Sequence, residues 1–135
     1  MNYLLDSSAL LAFYFGESGG DRVQEILSDE KTIVYLSVLS MAEFWGRLRA
    51  IGSASIFDDE WQQISEMMTS IVPISSEIVY RSLDLRAAAT ARLPQIDALI
   101  AATSAIQNAT LVHRDPHFQS IPDHLLQQET LPEKA

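Results

Sequence analysis

The chain has 135 residues, the size of one domain, and its composition of 47% hydrophobic and 20% charged residues is that of a folded globular protein. The absence of cysteine excludes a disulfide scaffold, thiol catalysis and a thiolate zinc site, and it is typical of a protein of the reducing cytoplasm. With 9 basic and 18 acidic side chains, the net charge is -9, which argues against binding nucleic acid unless some carboxylates hold divalent cations.

The N-terminal segment predicts neither a targeting peptide nor a membrane span. It carries no basic stretch, Asp6 interrupts it early, and its apolar character ends at Phe15, which is too short for a helix that spans a bilayer. We therefore expect a cytoplasmic protein with no membrane partner.

Apolar runs alternate with segments of helical periodicity, which is typical of an α/β domain built around a mainly parallel sheet. In chain order, the pattern predicts a strand over residues 3–6, helices over 8–15 and 20–29, a strand over 32–36, helices over 40–50 and 58–69, a strand over 71–74, helices over 76–92 and 94–108, and a strand over 110–112. Beyond these, it predicts a turn or short helix over 115–118, a fifth, edge strand near Ile121, and a tail over 131–135. We expect one three-layer domain over residues 1–130, with helices flanking a sheet of four or five strands.

Four carboxylates occupy equivalent places in this layout. Asp6 ends the first strand, Glu43 and Asp97 lie in the first turns of helices, and Asp115 follows the fourth strand. The carboxyl ends of parallel strands, and the helix starts that follow them, line one crevice where ligands bind, so these acids are expected to converge. Without a lysine nearby, converging carboxylates repel one another strongly unless a cation is bound.

Each acid also has a purely structural interpretation when it is taken alone. Ser40 and Glu43 have the spacing of a capping box, and the other three acids suit helix or turn caps. Taken together, the four acids favour a site for Mg²⁺ or Mn²⁺, hard ions that bind carboxylate and water oxygens. Zinc fits less well, since Pro116 prevents His113 and His117 from sharing one regular helix.

Metal ions held by carboxylates catalyse phosphodiester hydrolysis. Other chemistries lack their motifs, because the chain has no nucleophile elbow, no P-loop and no dinucleotide-binding glycine motif after the first strand. A phosphoacceptor receiver domain is also disfavoured. It needs a lysine at the end of its fifth strand, whereas the only lysines here are Lys31 and Lys134.

Four short segments carry a resemblance to a known family. They are YLLDSSAL at residues 3–10, SMAEF at 40–44, LPQIDALIAA at 93–102 and LVHRDPHF at 111–118. In these segments the chain resembles the PIN-domain ribonucleases, specifically the VapC-like toxins of bacterial and archaeal type II toxin-antitoxin pairs. The resemblance covers nearly the whole chain, and the segment at 93–102 is its most specific part. The chain departs from the family pattern at His113, where a hydroxyl residue is common, and at His117, where a second acid is common.

The resemblance implies a PIN-like fold and a metal-dependent endoribonuclease that uses Mg²⁺ or Mn²⁺. It also implies a homodimer, inhibition by a small VapB-like antitoxin, and contact with DNA only through that antitoxin. Together with the layout of the acids, it assigns Asp6 and Asp97 as the principal metal ligands. Glu43 and Asp115 complete the catalytic pocket, either directly or through water.

Few cations remain to bind RNA, and several of them flank the acid segments. Arg47, Arg92 and Arg114 are therefore predicted to contact the substrate. Arg81 and Arg92 fall on one face of the helix predicted over 76–92, a spacing compatible with a phosphate track about 16 Å long, although a solvated surface is the favoured interpretation of Arg81. Ser7 either positions the scissile phosphate or a water, or is a hydroxyl satisfied within a turn.

Two other functions are compatible with the sequence. One is a catalytically weak interaction module whose acidic crevice binds a basic partner segment, and the other is a structure-specific DNA nuclease. An antitoxin is expected to place an arginine or lysine from its C-terminal segment in the acid cluster, where it can satisfy the carboxylates and displace metal. Phe13, Phe15 and Trp45 are the expected apolar contacts of that partner.

Overall fold

A computed structural model describes residues 1–132, and residues 133–135, the end of the predicted tail, lie outside the described residues. The helices and strands follow in the order β1 (Asn2–Leu5), α1 (Ser7–Tyr14), α2 (Gly20–Ser28), β2 (Ile33–Ser37), α3 (Leu39–Ala50), α4 (Phe57–Met67), β3 (Ser70–Val72), α5 (Ser76–Ala88), α6 (Gln95–Ile106), β4 (Thr110–His113) and β5 (Gln128–Thr130). Short 3-10 turns cover Ala54–Ile56 and Pro116–Ser120. Within residues 1–132, no helix has both the length and the apolar character needed to cross a membrane.

All five strands run parallel in one sheet of order β3-β2-β1-β4-β5. β1 is central, and its Leu5 pairs with Leu36 of β2 on one side and with Val112 of β4 on the other. The chain proceeds from β1 outward through β2 and β3, and then returns to the opposite side through β4 and β5. The expected three-layer α/β fold is therefore confirmed, and its strand order reverses between β1 and β4, where such sheets bind ligands.

Helices cover both faces of the sheet. Successive residues of β1 point to opposite faces, so neighbouring residues of this strand belong to different cores. Leu4 belongs to a core shared with α5 and α6, which includes Ile100 and Phe118. Leu5 belongs to a second core shared with α1 to α4, which includes Phe44. Burial on both faces explains why the central strand is a continuous apolar run in the sequence.

The C-terminal part of the domain differs from the prediction. The edge strand β5 covers Gln128–Thr130 and not the region of Ile121, which is 2% exposed and packs in the core with α5 and α6. Leu131, predicted to begin the tail, packs in the second core, and its N–H donates to the carbonyl of His113 at 2.6 Å. The structured domain therefore includes Leu131.

The start of α3 also differs from the prediction. The helix begins at Leu39, and its cap residue Val38 makes no side-chain hydrogen bond to the helix. Ser40 is fully buried instead of capping the helix, and its Oγ lies 3.0 Å from Ser7 Oγ. The predicted capping box between Ser40 and Glu43 is therefore wrong.

The helix α5 ends at Ala88 and not at residue 92. Beyond it, the N–H of Thr90 donates to the carbonyl of Ser120 at 2.9 Å, so the chain leaves the helical path to join the turn after β4. Arg92 lies outside the helix, so it does not share a helical face with Arg81, and the alternative of a phosphate track along that face is excluded.

Candidate metal centre at the carboxyl ends of the strands

Asp6 is fixed by two structural elements at once. Its Oδ1 caps the start of α1 by accepting hydrogen bonds from Ala9 N at 2.8 Å and Ser8 Oγ at 2.7 Å. Its own N–H donates to the carbonyl of Val112 on β4 at 3.1 Å. Asp6 is 4% exposed, so its carboxyl group lies in the crevice with little solvent around it.

Asp97, Asp115 and His117 form a compact cluster beside it. Asp97 lies in the first turn of α6, and Asp115 caps the 3-10 turn after β4 by accepting from His117 N at 2.9 Å. The Nδ1 atom of His117 lies 3.1 Å from Asp97 Oδ2 and 3.1 Å from Asp115 Oδ1. One potential ligand atom from each of the three residues lies within 4.8 Å of the others.

Glu43 faces this cluster from α3. Its carboxyl group accepts a hydrogen bond from the Ser7 hydroxyl, which in turn contacts Ser40 Oγ. The Ser7 hydroxyl is therefore engaged with Glu43 at the crevice. Ser7 and Ser40, which are 33 residues apart in the sequence, thus form a hydrogen-bonded pair beside Glu43, the candidate catalytic residue on α3.

Electrostatics confirm that Asp6 lies near the other acids. Burial, reinforced by the charges of Asp115 and Asp97, raises the pKa of Asp6 to about 7. The hydrogen bonds from Ser8 and Ala9 oppose this increase in pKa because they stabilise the ionised carboxylate. Desolvation and repulsion therefore outweigh two good hydrogen bonds at this position.

The other carboxyl groups respond to the same environment. Partial burial raises the pKa of Glu43, although its side chain as a whole is exposed, and the charges of Asp97 and Asp115 raise it further. Burial also raises the pKa of Asp97, as does the charge of Asp115, while His117 lowers it. Sequence and structure thus agree that all four acids converge on one crevice.

The residues of this crevice fit a divalent cation. Its donors are carboxylate oxygens and one imidazole nitrogen, and the acids raise one another's pKa values, which a bound cation would reverse. Among residues 1–132, no lysine or arginine forms an ion pair with the four acids. A bound cation would supply the positive charge that offsets this repulsion.

Two of the predicted substrate-binding arginines are engaged elsewhere. Arg114 contacts Glu17 and donates through Nη1 to the carbonyl of Ser18 at 3.2 Å, and its side chain is 8% exposed. Arg47 pairs with the same Glu17 at 3.1 Å and lies over the ring of Phe15. The structure therefore uses both guanidinium groups to hold the loop after α1, which does not support the predicted phosphate contacts.

Arg92 is placed differently. It is exposed and lines a shallow groove of about 320 Å³ whose other walls include Pro116 and His117. The groove therefore adjoins the acid cluster through His117. Of the three predicted arginines, Arg92 is the one that the structure leaves available to a ligand at the crevice.

His113 and His117 have different environments. His113 is fully buried, its Nδ1 accepts from Asp115 N at 3.1 Å, and its Nε2 lies 2.8 Å from Gln128 Oε1. These contacts place the ring proton on Nε2, and burial lowers the pKa of the imidazole. Because both nitrogens are occupied, His113 orients the backbone of Asp115 and cannot bind a metal at the same time.

His117 is the site residue that sequence reasoning missed. A lone histidine in a turn is usually a solvated side chain, and Pro116 argued against a histidine pair. The available signal was that His117 stands at a position where the family pattern commonly has a second acid.

The aromatic residues expected to contact a partner also differ from one another. Trp45 on α3 is 41% exposed, as predicted, and Arg49 lies over its ring. Phe13 and Phe15 are half-buried and pack against the second core, so they offer a partner less apolar surface than Trp45 does.

A doubly wound parallel sheet with four acids at its switch point defines a class of α/β protein with an acidic ligand-binding crevice. The model of the PIN domain family matches residues 3–123, and the chain belongs to this family. The resemblance seen in the sequence is thereby confirmed at the level of the domain. No curated protein sequence matches the chain significantly.

Solved structures share this fold at low sequence identity. VapBC2 from Rickettsia felis, bound to a DNA fragment from its promoter, matches with a TM-score of 0.77 and 20% identity over 98% of this chain and 100% of that chain. A toxin-antitoxin complex from Klebsiella pneumoniae matches with a TM-score of 0.73 and 21% identity over 97% and 98% of the two chains. FitAcB from Neisseria gonorrhoeae matches with a TM-score of 0.72 and 21% identity over 95% and 96%. Nearly the whole chain is thus similar in fold to single chains in these structures.

Proposed function

We propose that this protein is a metal-dependent endoribonuclease and the toxin of a type II toxin-antitoxin pair, acting in the cytoplasm. The observation that carries the proposal is the convergence of Asp6, Glu43, Asp97 and Asp115 on one crevice, where burial and mutual repulsion raise the pKa of Asp6 to about 7. Membership of the PIN domain family and the similarity in fold to toxin-antitoxin complexes support it.

In this proposal, Asp6 and Asp97 are the principal ligands of Mg²⁺ or Mn²⁺, and Asp115 and Glu43 complete the site. A divalent cation bound there supplies a Lewis acid that activates water and stabilises charge on the scissile phosphate. The Ser7 hydroxyl donates its single proton to Glu43 and so orients that carboxylate, while its oxygen can accept a hydrogen bond from the attacking water. The raised pKa of Glu43 suits a carboxylate that accepts a proton from that water.

The substrate is proposed to enter along the groove that contains Arg92 and His117. With a net charge of -9, the protein has little general attraction for phosphates, so binding depends on this groove and on the cation at its end. Single-stranded RNA suits such a site better than a duplex, because its backbone can bend into a narrow crevice.

The proposed partner is a small VapB-like antitoxin, and the toxin is proposed to be a homodimer that contacts DNA only through this partner. Met41 and Trp45 are exposed on α3, the helix that also carries Glu43. A partner helix on this surface is therefore close enough to place a basic side chain in the acid crevice.

The test is cleavage by the purified protein after removal of any partner. Labelled single-stranded RNA and a DNA of the same sequence are incubated with Mg²⁺ or Mn²⁺, with and without EDTA, and with the Asp97→Asn variant as a control. We expect RNA cleavage that stops with EDTA and with the variant. Preferential cleavage of DNA would indicate a DNA nuclease, and no cleavage of either substrate would favour the interaction module.

A further inference from the structure

His117 places a nitrogen ligand among the oxygen ligands of the candidate metal centre. Its Nδ1 lies 3.1 Å from one oxygen of Asp97 and 3.1 Å from one oxygen of Asp115. The backbone of His117 is held on both sides, because its N–H donates to Asp115 Oδ1 at 2.9 Å and its carbonyl accepts from Ser120 Oγ at 2.8 Å. The turn therefore fixes the backbone of His117, and the two contacts of Nδ1 place its imidazole against the acids.

We propose that His117 Nδ1 is a metal ligand together with Asp97 and Asp115, and that this nitrogen makes the site prefer a transition-metal ion such as Mn²⁺ over Mg²⁺. The proposal rests on the metal site of the proposed function and concerns which ion that site selects.

The spacing of the three donor atoms supports this assignment. Two ligand atoms at right angles, each about 2.1 Å from one ion, are about 3.0 Å apart. The two distances of 3.1 Å from His117 Nδ1 match that spacing, and all three donors lie within 4.8 Å of one another. Little movement is needed for Nδ1 and the two carboxylate oxygens to surround a common ion.

The chemistry of the donors determines the preference. Mg²⁺ binds almost entirely through oxygen, whereas imidazole nitrogen is a common ligand of transition-metal ions. The side chain of His117 is 46% exposed, so a ring bound through Nδ1 can keep its proton on Nε2 and donate it to water.

The other two histidines do not compete for this role. Both nitrogens of His113 are occupied by Asp115 N and Gln128. His124 lines a separate cavity beside Asn108, which precedes β4 and therefore lies at the opposite end of the sheet from Asp115. His124 thus provides a matched, exposed control.

The test is pulsed electron paramagnetic resonance of Mn²⁺ bound to the whole protein, which detects the ¹⁴N nucleus of a ligating imidazole. We expect this coupling in the wild type and in His124→Ala, and its loss in His117→Ala. Binding titrations with Mn²⁺ and with Mg²⁺ give the second readout. The ratio of the two affinities is expected to fall about tenfold in His117→Ala.

The variant His117→Asp separates coordination from a merely structural role. This variant supplies an oxygen donor in place of the nitrogen. It is expected to bind Mg²⁺ well and to lack the preference for Mn²⁺ over Mg²⁺. Mn²⁺ binding without ¹⁴N coupling in the wild type, or an unchanged affinity ratio in both variants, would overturn the assignment of His117 and leave the proposed function intact. Equal Mn²⁺ binding by wild type and Asp97→Asn would instead overturn the metal centre on which the proposed function rests.

Discussion

Asp6 combines a structural and a chemical role in one carboxyl group. As the cap of α1 it stabilises the fold, but as a buried acid it destabilises the fold when ionised, because burial raises its pKa from 3.8 to about 7. Below about pH 4 the Asp6 carboxyl group is protonated in both the folded and the unfolded chain, so it does not lower the free energy of unfolding. As the pH rises through this range, the unfolded chain ionises first, and above about pH 7 the cost reaches up to about 4 kcal/mol.

Asp6→Asn is therefore expected to stabilise the metal-free protein at about pH 8. Asparagine is as good a helix cap as aspartate, so the variant keeps the cap and removes the buried charge. The gain over the wild type is expected to fade toward about pH 4, and stabilisation by added Mn²⁺ and cleavage of RNA are expected to be lost. Urea unfolding across this pH range measures the gain, and Asp58→Asn, an exposed acid in the first turn of α4, is the control. A variant no more stable than the wild type at high pH would contradict this account of Asp6.

His113 is expected to matter for stability even though it binds no ion. In His113→Phe, a ring still packs against Phe118, but Asp115 N–H and the Gln128 side chain lose their partner inside the domain. The expected loss is about 2–4 kcal/mol of unfolding free energy, measured by urea denaturation. The exposed His124→Phe is expected to cost less than about 0.5 kcal/mol. Similar losses in both variants would show that the buried hydrogen bonds of His113 contribute little.

At the level of elements, two helical glycines make a matched pair. Gly20 is the first residue of α2, and a Cβ there would lie 2.6 Å from the carbonyl oxygen of Ala12, because α1 and α2 pack backbone to backbone. Gly46 lies in the middle of α3, where a Cβ meets nothing within 4 Å. Gly20→Ala is expected to lower the stability by about 2 kcal/mol or more, whereas Gly46→Ala is expected to raise it by about 1 kcal/mol. Thermal melts of the two variants test this directly, and a harmless Gly20→Ala would mean that α1 and α2 separate easily.

The sequence pattern predicts elements well where burial produces a clear period. Strands such as β1 and β4 are short apolar runs, and every long helix was expected close to its place. The pattern fails where tertiary contacts decide. Ala89, Ala91 and Arg92 are good helix formers, yet the chain leaves the helix because Thr90 bonds to Ser120. The edge strand β5 consists of polar residues, which leave no apolar signal.

The candidate site likewise contains residues that the sequence pattern predicts and contacts that only tertiary packing determines. The acids could be predicted because the ends of parallel strands always converge. The pairing of Arg47 and Arg114 with Glu17 could not, because those residues are 30 and 97 positions apart and the loop between α1 and α2 brings them together. Spacing in sequence shows which cations lie near an acid segment, but only packing shows which of them are already neutralised.

For the whole molecule, the exposed surface of α3 leads to a prediction about the partner. Co-expression with the product of the adjacent reading frame is expected to yield a stable complex without nuclease activity. Replacing the basic residue in the C-terminal segment of that partner is expected to restore cleavage while the complex persists. In this chain, Trp45→Ala is expected to weaken the complex about tenfold, whereas Tyr80→Ala, an exposed aromatic on α5, is the control. Equal inhibition by the altered and unaltered partners would refute the idea that a basic side chain blocks the crevice.

The central position of β1 has a consequence for synthesis of the protein on the ribosome. β1 is the first strand to be made, yet its hydrogen bonds on one side wait for β4, and Asp6 is tied to Val112. The acid cluster also needs Asp97 of α6 and Asp115, which follows β4. A growing chain therefore holds an incomplete candidate site until these segments have been made and β4 has paired with β1. The candidate metal centre is complete only after residue 115 has left the exit tunnel.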